Sequence, residues 1–113
     1  MPKGELLGEF EMYVLAALER LGDEAYGVTI QHEIDQRTGR VTSFGAIYAT
    51  LDRLARKGCV TFWTSAPQPV PGGRARKHAR LTTEGRRALR ESVRALDRML
   101  EGTSVRLRPS GGR

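Results

Sequence analysis

The 113-residue chain is short and basic, which favours one small domain. Hydrophobic residues make up 39% and charged residues 28%, a balance typical of a folded protein and not of a disordered one. No apolar run approaches the roughly 20 residues of a membrane helix, and no secretion signal is visible at the N-terminus. The single cysteine, Cys59, excludes an internal disulfide and a cysteine-based zinc cluster. We therefore expect a cytoplasmic protein with no membrane partner.

The net charge of +6 is unevenly distributed along the chain. Residues 1–24 carry a net charge of −4, whereas residues 59–81 carry four basic residues and no acidic one. A concentrated basic segment on a mixed scaffold indicates a polyanionic partner that is bound locally. The alternative is a basic protein that its charge keeps in solution.

Helical periodicity predicts two helices in the first third of the chain. The first runs from about Glu5 to Leu21, with Gly22 as its stop. Its apolar residues recur at helical spacing: Leu6, Leu7, Phe10, Val14, Ala17, Leu18 and Leu21. The acidic pair Asp23-Glu24 suits the start of a second helix, from Tyr26 to Arg37, that ends at Thr38-Gly39.

A third helix is predicted after a turn at residues 40–42. The Ser43 hydroxyl suits its N-cap, and Lys57-Gly58 ends it. One face should pack on the first two helices, and its residues are Phe44, Ile47, Leu51 and Leu54. The opposite face is mainly small and polar, and consists of Gly45, Ala46, Ala49 and Arg53.

A β-hairpin and a last helix complete the predicted elements. β-branched and aromatic residues predict a strand at Cys59–Thr64, a Pro/Gly-rich loop follows at Ser65–Gly73, and Arg74–Leu81 forms the return strand. Thr82-Thr83-Glu84 caps a helix from Glu84 to Glu101. Its apolar residues follow the 4-3-4 spacing of a coiled-coil seam, at Leu89, Val93, Leu96 and Leu100.

This order of elements predicts a mainly α protein with a small β-hairpin, in the class of the winged helix-turn-helix. A two-stranded hairpin has no core of its own and must lie against the helices. We expect a DNA-binding domain over residues 1–83, a dimerisation helix over residues 84–101 and a disordered cationic tail over residues 102–113.

Three stretches resemble the PadR family of bacterial transcriptional regulators. They are GDEAYGVTIQHEIDQRTG (22–39), SFGAIYATLDRLARKGCV (43–60) and GGRARKHARLTTEGR (72–86). The resemblance covers about residues 8–100 and places the chain with the short members that end after one dimerisation helix. It implies a homodimeric winged-helix repressor of transcription, in which a small aromatic or drug-like effector often relieves repression.

Double-stranded DNA is the partner that this fold would bind. The third helix would enter the major groove, where Gly45, Ala46 and Ala49 allow close approach and Arg53 offers a long-range contact. Thr42 and Ser43 could donate to a phosphate or base, and the resemblance supports a phosphate contact for the Tyr48 phenol.

The basic hairpin residues would contact the minor groove or its phosphates, and they are Arg74, Arg76 and Lys77. The second helix could bind a phosphate near Tyr26. Ordinary packing of Tyr26 and Tyr48, and a solvated charge run in the hairpin, are the alternatives.

The seam of the last helix could cover its own domain or a second copy of the chain. We expect a homodimer, with Leu6, Leu7 and Phe10 completing the interface. A two-fold dimer would place two reading helices roughly 34 Å apart, which predicts a palindromic operator.

Cys59 and the two histidines do not indicate catalysis. Cys59 is expected to pack as a small apolar residue, with redox sensing as the alternative. His32 and His78 are expected at the surface, since their spacing does not suit a metal site. No catalytic or phosphate-binding motif is present, so we expect no enzyme activity, cofactor or metal.

The competing functional hypothesis is a winged-helix module that binds a protein, or binds nucleic acid without reading bases. Fold alone does not distinguish these functions. The cationic hairpin beside a helix with small, close-approach residues favours sequence-specific DNA binding.

Overall fold

The computed structural model describes residues 6–67, 70–71 and 75–107. Four α-helices and one two-stranded sheet follow in the order α1 (Glu9–Leu21), α2 (Gly27–Thr38), α3 (Phe44–Arg56), β1 (Val60–Thr64), β2 (Lys77–Leu81) and α4 (Thr83–Leu100), with a short 3-10 turn at Gly22–Glu24. This is the predicted winged helix-turn-helix order. None of the helices in the described ranges is long and apolar enough to cross a membrane.

Helix α1 begins four residues later than predicted. Leu6–Gly8 are not helical, and the predicted start at Glu5 lies outside the described residues. Gly8 forms the N-cap, where its amide donates to Oε1 of Glu11 at 2.8 Å. Asp23 and Glu24 lie in the 3-10 turn instead of the first turn of α2.

Helix α3 confirms the predicted cap and most of the predicted core face. The Ser43 hydroxyl accepts from the Ala46 amide at 3.0 Å. Ile47, Leu51 and Leu54 are buried against α1 and α2. The expectation that Phe44 packs inward is wrong, because this first helical residue overhangs the edge of the core and is 44% exposed.

The hairpin of β1 and β2, which we call the wing (residues 60–81), pairs antiparallel with Val60 opposite Leu81 and Thr64 opposite Lys77. The predicted surface position of His78 is wrong. His78 is buried, stacks on the Trp63 ring at 4.1 Å between centroids, and meets the Tyr26 ring edge-on. The β2 strand is therefore covered on both faces, by α1 and by these rings.

Helix α4 is an integral part of the core. The Thr82 hydroxyl caps it by accepting from the Gly85 amide at 2.9 Å. Gly85, Ala88 and Ser92 are buried, and the Ser92 hydroxyl accepts from the Leu7 amide at 3.0 Å across 85 residues of sequence. The seam residues Val93 and Leu96 remain 42% and 40% exposed.

Candidate nucleic-acid interface

Helix α3 presents the small-residue face that the sequence predicts. Gly45, Ala46 and Ala49 are all exposed, and a methyl group at Gly45 would meet only the Ser43 oxygen, 4.0 Å away. The backbone of the first two turns is therefore open to close approach. The Ser43 oxygen is used in capping, while its hydroxyl hydrogen remains available to an acceptor.

The N-terminus of α2 lies directly beneath Tyr48. A methyl group at Gly27 would lie 2.3 Å from the Tyr48 phenol oxygen, so glycine makes room for the ring. The Tyr26 amide donates to the Thr29 hydroxyl at 3.0 Å, whereas the Gly27 and Val28 amides have no acceptor among the described residues. Free amides, the positive helix end and a phenol hydroxyl thus converge on one spot, which suits a phosphate.

In the described part of the wing, the basic side chains of Arg76 and Lys77 lie over two different aromatic rings. The Arg76 guanidinium lies over the Tyr26 ring, 4.6 Å from its centroid, beside the start of α2. The Lys77 ammonium lies over Phe62 at 4.1 Å. Both side chains are exposed. Arg74, the third predicted basic contact, lies outside the described residues.

A groove of about 380 Å³ separates the wing from α3. No acidic residue lies among its described lining residues, which are Tyr26, Val28, Phe44, Tyr48, Ala75, Arg76 and Lys77. Sequence analysis missed Val28 and Phe44: Phe44 falls at the spacing of the buried face of α3, and Val28 falls in no predicted site. Within the described residues, the groove brings together predicted contacts from the start of α2, from α3 and from the wing.

Thr42 and Arg53 are engaged within the fold. The Thr42 hydroxyl donates to Oδ1 of Asp35 at 2.9 Å, and its carbonyl accepts from the Gln31 side chain. Nε of Arg53 lies 3.6 Å from Oε2 of Glu11, and Nη2 donates to the Thr50 hydroxyl. A role in DNA contact stays a prediction for both residues, and Arg53 would have to leave a carboxylate to make it.

Glu11 is a buried carboxylate that ties α1 to the end of α3. It accepts from the Gly8 amide and lies 2.9 Å from Nζ of Lys57. Burial acts to raise the pKa of Glu11, but the Gly8 hydrogen bond and the Lys57 and Arg53 charges together hold it below its ordinary value. Sequence analysis missed this residue, whose charged partners Arg53 and Lys57 lie more than 40 positions away.

We expect the stability of the fold to depend on the ionisation of Glu11. Because its pKa is lower in the folded chain, its contribution is present above the unfolded pKa of about 4.3 and is lost as the pH falls through the folded value. Glu11→Gln should lower the free energy of unfolding at pH 7 by about 1–3 kcal/mol and flatten its decline below about pH 5. Urea unfolding between pH 7 and pH 3 measures both, with the exposed Glu24→Gln as the matched control. An equal decline in all three proteins would contradict the assignment.

The residues predicted to form a dimer interface differ in exposure. Leu7 is buried in the core of its own chain, Phe10 is half-buried against that core, and Leu6 is 52% exposed. In α4, Leu89 and Leu100 are partly buried, and Val93 and Leu96 are the more exposed seam residues.

Cys59 occupies a fully buried position after α3, and its amide donates to the Leu54 carbonyl at 2.8 Å. Burial raises the pKa of its thiol, which disfavours the reactive thiolate. No group of three or more candidate metal ligands occurs within the described ranges.

The order of elements and the wing beside α3 define a winged helix-turn-helix protein. The profile of the Transcriptional regulator PadR-like family matches residues 14–91, and the chain belongs to that family. It is 36% identical over 77 residues to transcriptional regulator Rv3488 of Mycobacterium tuberculosis, covering 68% of this chain and 67% of that protein.

Two solved structures share the fold. A PadR family transcription regulator from Clostridium difficile superposes with a TM-score of 0.66 at 25% identity, covering 82% of this chain and 95% of that one. Bacillus subtilis PadR, solved in complex with operator DNA, superposes with a TM-score of 0.62 at 22% identity, covering 74% and 46% of the two chains. The chain is therefore a PadR-family transcriptional regulator.

Proposed function

We propose that this regulator is a homodimeric repressor that binds a palindromic DNA operator in the cytoplasm. The groove between α3 and the wing carries the proposal, because a phosphate backbone lying in it would meet three elements at once. The open face of α3 would then enter the major groove, and the wing tip would reach the minor groove. The operator complex of Bacillus subtilis PadR supports this use of the fold.

The electrostatics of the groove favour a phosphate over an acidic peptide or an apolar partner. The free amides at the start of α2 supply directional donors to a single anionic group, and Arg76 supplies a cation beside them. Such contacts fix the position of the protein on DNA, while the small residues of α3 leave room for base readout. The relief of repression by a small effector stays the prediction that follows from the family.

Selection of genomic DNA fragments on the purified protein at near-physiological salt, followed by sequencing, tests the proposal. We expect enrichment of a few palindromic sites, and a promoter fusion carrying such a site should be repressed when the protein is present. Diffuse enrichment that disappears with added salt would instead support the competing hypothesis of binding without base readout.

Tyr48→Phe should weaken binding to every DNA sequence by a similar factor, about tenfold. The substitution removes only the hydroxyl that lies beside the α2 amides, and a phosphate contact carries no sequence information. Fluorescence anisotropy with a selected and a scrambled duplex measures both affinities. Tyr13→Phe, on α1, is the matched control. Unchanged affinity for both duplexes would remove the Tyr48 contact from the proposal.

Arg76→Ala should flatten the salt dependence of binding by about one counterion for each subunit. The lost guanidinium lines the proposed phosphate path, and its removal should leave base preference unchanged. The slope of log affinity against log salt concentration is the measurement. Arg87→Ala on α4, whose guanidinium pairs with Glu84, removes the same charge elsewhere. Equal slopes for the two variants would place Arg76 away from the DNA.

A further inference from the structure

Helix α4 has an apolar face left exposed by the part of the chain that the structure describes. Gly85, Ala88 and Ser92 point into the core, and the seam lies on the neighbouring face of the helix. Met99, Val105 and Leu107 add exposed apolar surface near its C-terminal end, at 78%, 59% and 46% exposure. The chain turns after α4 at Gly102, where φ is +82°, and residues 105–107 border a groove along Val93 and Leu100.

Two opposite charges lie along one flank of the seam. Arg90 directly follows Leu89, and Asp97 directly follows Leu96, so both take the same position in the seven-residue repeat. Both side chains are exposed, and neither has an ion-pair partner in the part of the chain that the structure describes. The other flank offers no charge to pair with them, since its residues are Gly85, Ser92 and Met99.

We propose that α4 pairs antiparallel with α4 of a second copy, and that Arg90 of each copy binds Asp97 of the other. This inference rests on the proposed homodimer and specifies how its two chains meet. We assign a second copy of the chain as the partner, because the opposite charges of Arg90 and Asp97 can pair with the same flank of another α4. In a two-fold symmetric dimer, Arg90 of the first copy pairs with Asp97 of the second, and Arg90 of the second pairs with Asp97 of the first, so two ion pairs form.

The orientation follows from the positions of the charges. In an antiparallel pair, equivalent flanks of the two helices face each other, whereas a parallel pair would set the Arg90–Asp97 flank against the flank that carries Ser92. Antiparallel pairing also opposes Leu89 with Leu100 and Val93 with Leu96 around a single axis. The midpoint of Arg90 and Asp97 falls within about one residue of that axis. The apolar contacts and the ion pairs therefore require nearly the same alignment of the two helices along their length.

Charge reversal tests the pairing in the full-length protein. Arg90→Asp and Asp97→Arg should each raise the dissociation constant of the dimer roughly tenfold or more, because each creates two like-charge contacts. The double variant R90D/D97R should restore the wild-type constant. An equimolar mixture of the two single variants should form heterodimers in preference to either homodimer, which native mass spectrometry resolves.

Controls separate this pairing from dimerisation as such. Arg98→Asp and Glu91→Arg make the same charge changes on exposed positions of α4 away from the seam, and should leave the dissociation constant unchanged. A wild-type dimer that none of the single reversals weakens would overturn the Arg90–Asp97 pairing and leave the homodimer intact. A wild-type monomer at micromolar concentration would overturn both. Circular dichroism of each variant checks that the monomer remains folded.

Discussion

Gly85→Ala is expected to destabilise the fold by about 3 kcal/mol, although alanine is normally the better helix former. A methyl group at this position would lie 2.2 Å from the Cys59 carbonyl oxygen and 2.8 Å from Cδ1 of Leu81. The carbonyl belongs to the backbone that joins α3 to the wing, and it already accepts from the Thr82 amide at 3.0 Å. A rotamer change cannot relieve the clash with a backbone oxygen, so α4 must move away from the Cys59 backbone.

Urea unfolding of the variant measures this loss, and Gly45→Ala is its matched control. The same methyl group at Gly45 in α3 has no neighbour closer than 4.0 Å and should stabilise the fold by up to about 1 kcal/mol. The two substitutions should thus change stability in opposite directions. Equal effects would show that α4 does not pack on the Cys59 backbone as closely as described.

Leu96→Glu is expected to separate the proposed dimer into folded monomers and to weaken operator binding at least about 100-fold. The leucine is 40% exposed in the single chain, so the fold tolerates a carboxylate there. An interface would not, because it would bury that charge without a partner. Two half-sites bound through one dimer reinforce each other by a factor of about 10²–10⁴, and a monomer loses this advantage.

Sedimentation and anisotropy on the same samples report the two losses together. Arg98→Glu, which places a carboxylate on α4 outside the seam, should keep both the dimer and operator affinity. A monomer that still binds the full operator tightly would show that each domain reads DNA independently. A persistent Leu96→Glu dimer would place the interface on another surface.

Local sequence patterns predicted the parts of the fold that depend on neighbouring residues. The Ser43 and Thr82 caps each need only a hydroxyl followed by an amide three positions later. The buried face of α3 needs only helical periodicity. Phe44 shows the limit of this reasoning, because periodicity gives the side of a helix but not the length of the core beneath it.

The residues that sequence analysis misplaced depend on contacts between distant segments. His78 lies among basic residues in sequence, yet it packs between the rings of Tyr26, which precedes α2, and Trp63 of β1. Glu11 has the sequence context of a surface acid, yet Lys57 reaches it from the end of α3. In the candidate site, the exposed face of α3 was predictable. The fit of Tyr48 over Gly27 was not, because it requires the angle between two helices.

The hydrogen bond from the Leu7 amide to Ser92 has a consequence for the growing polypeptide. Leu7 becomes covered only after the ribosome has made the last helix, so the fold closes late in synthesis. A chain interrupted before Ser92 would contain the whole of α3 and the wing but would leave Leu7 and the α1 surface beneath α4 uncovered. Such a fragment would expose apolar surface, so we expect truncated products to compete poorly with the full chain for the operator.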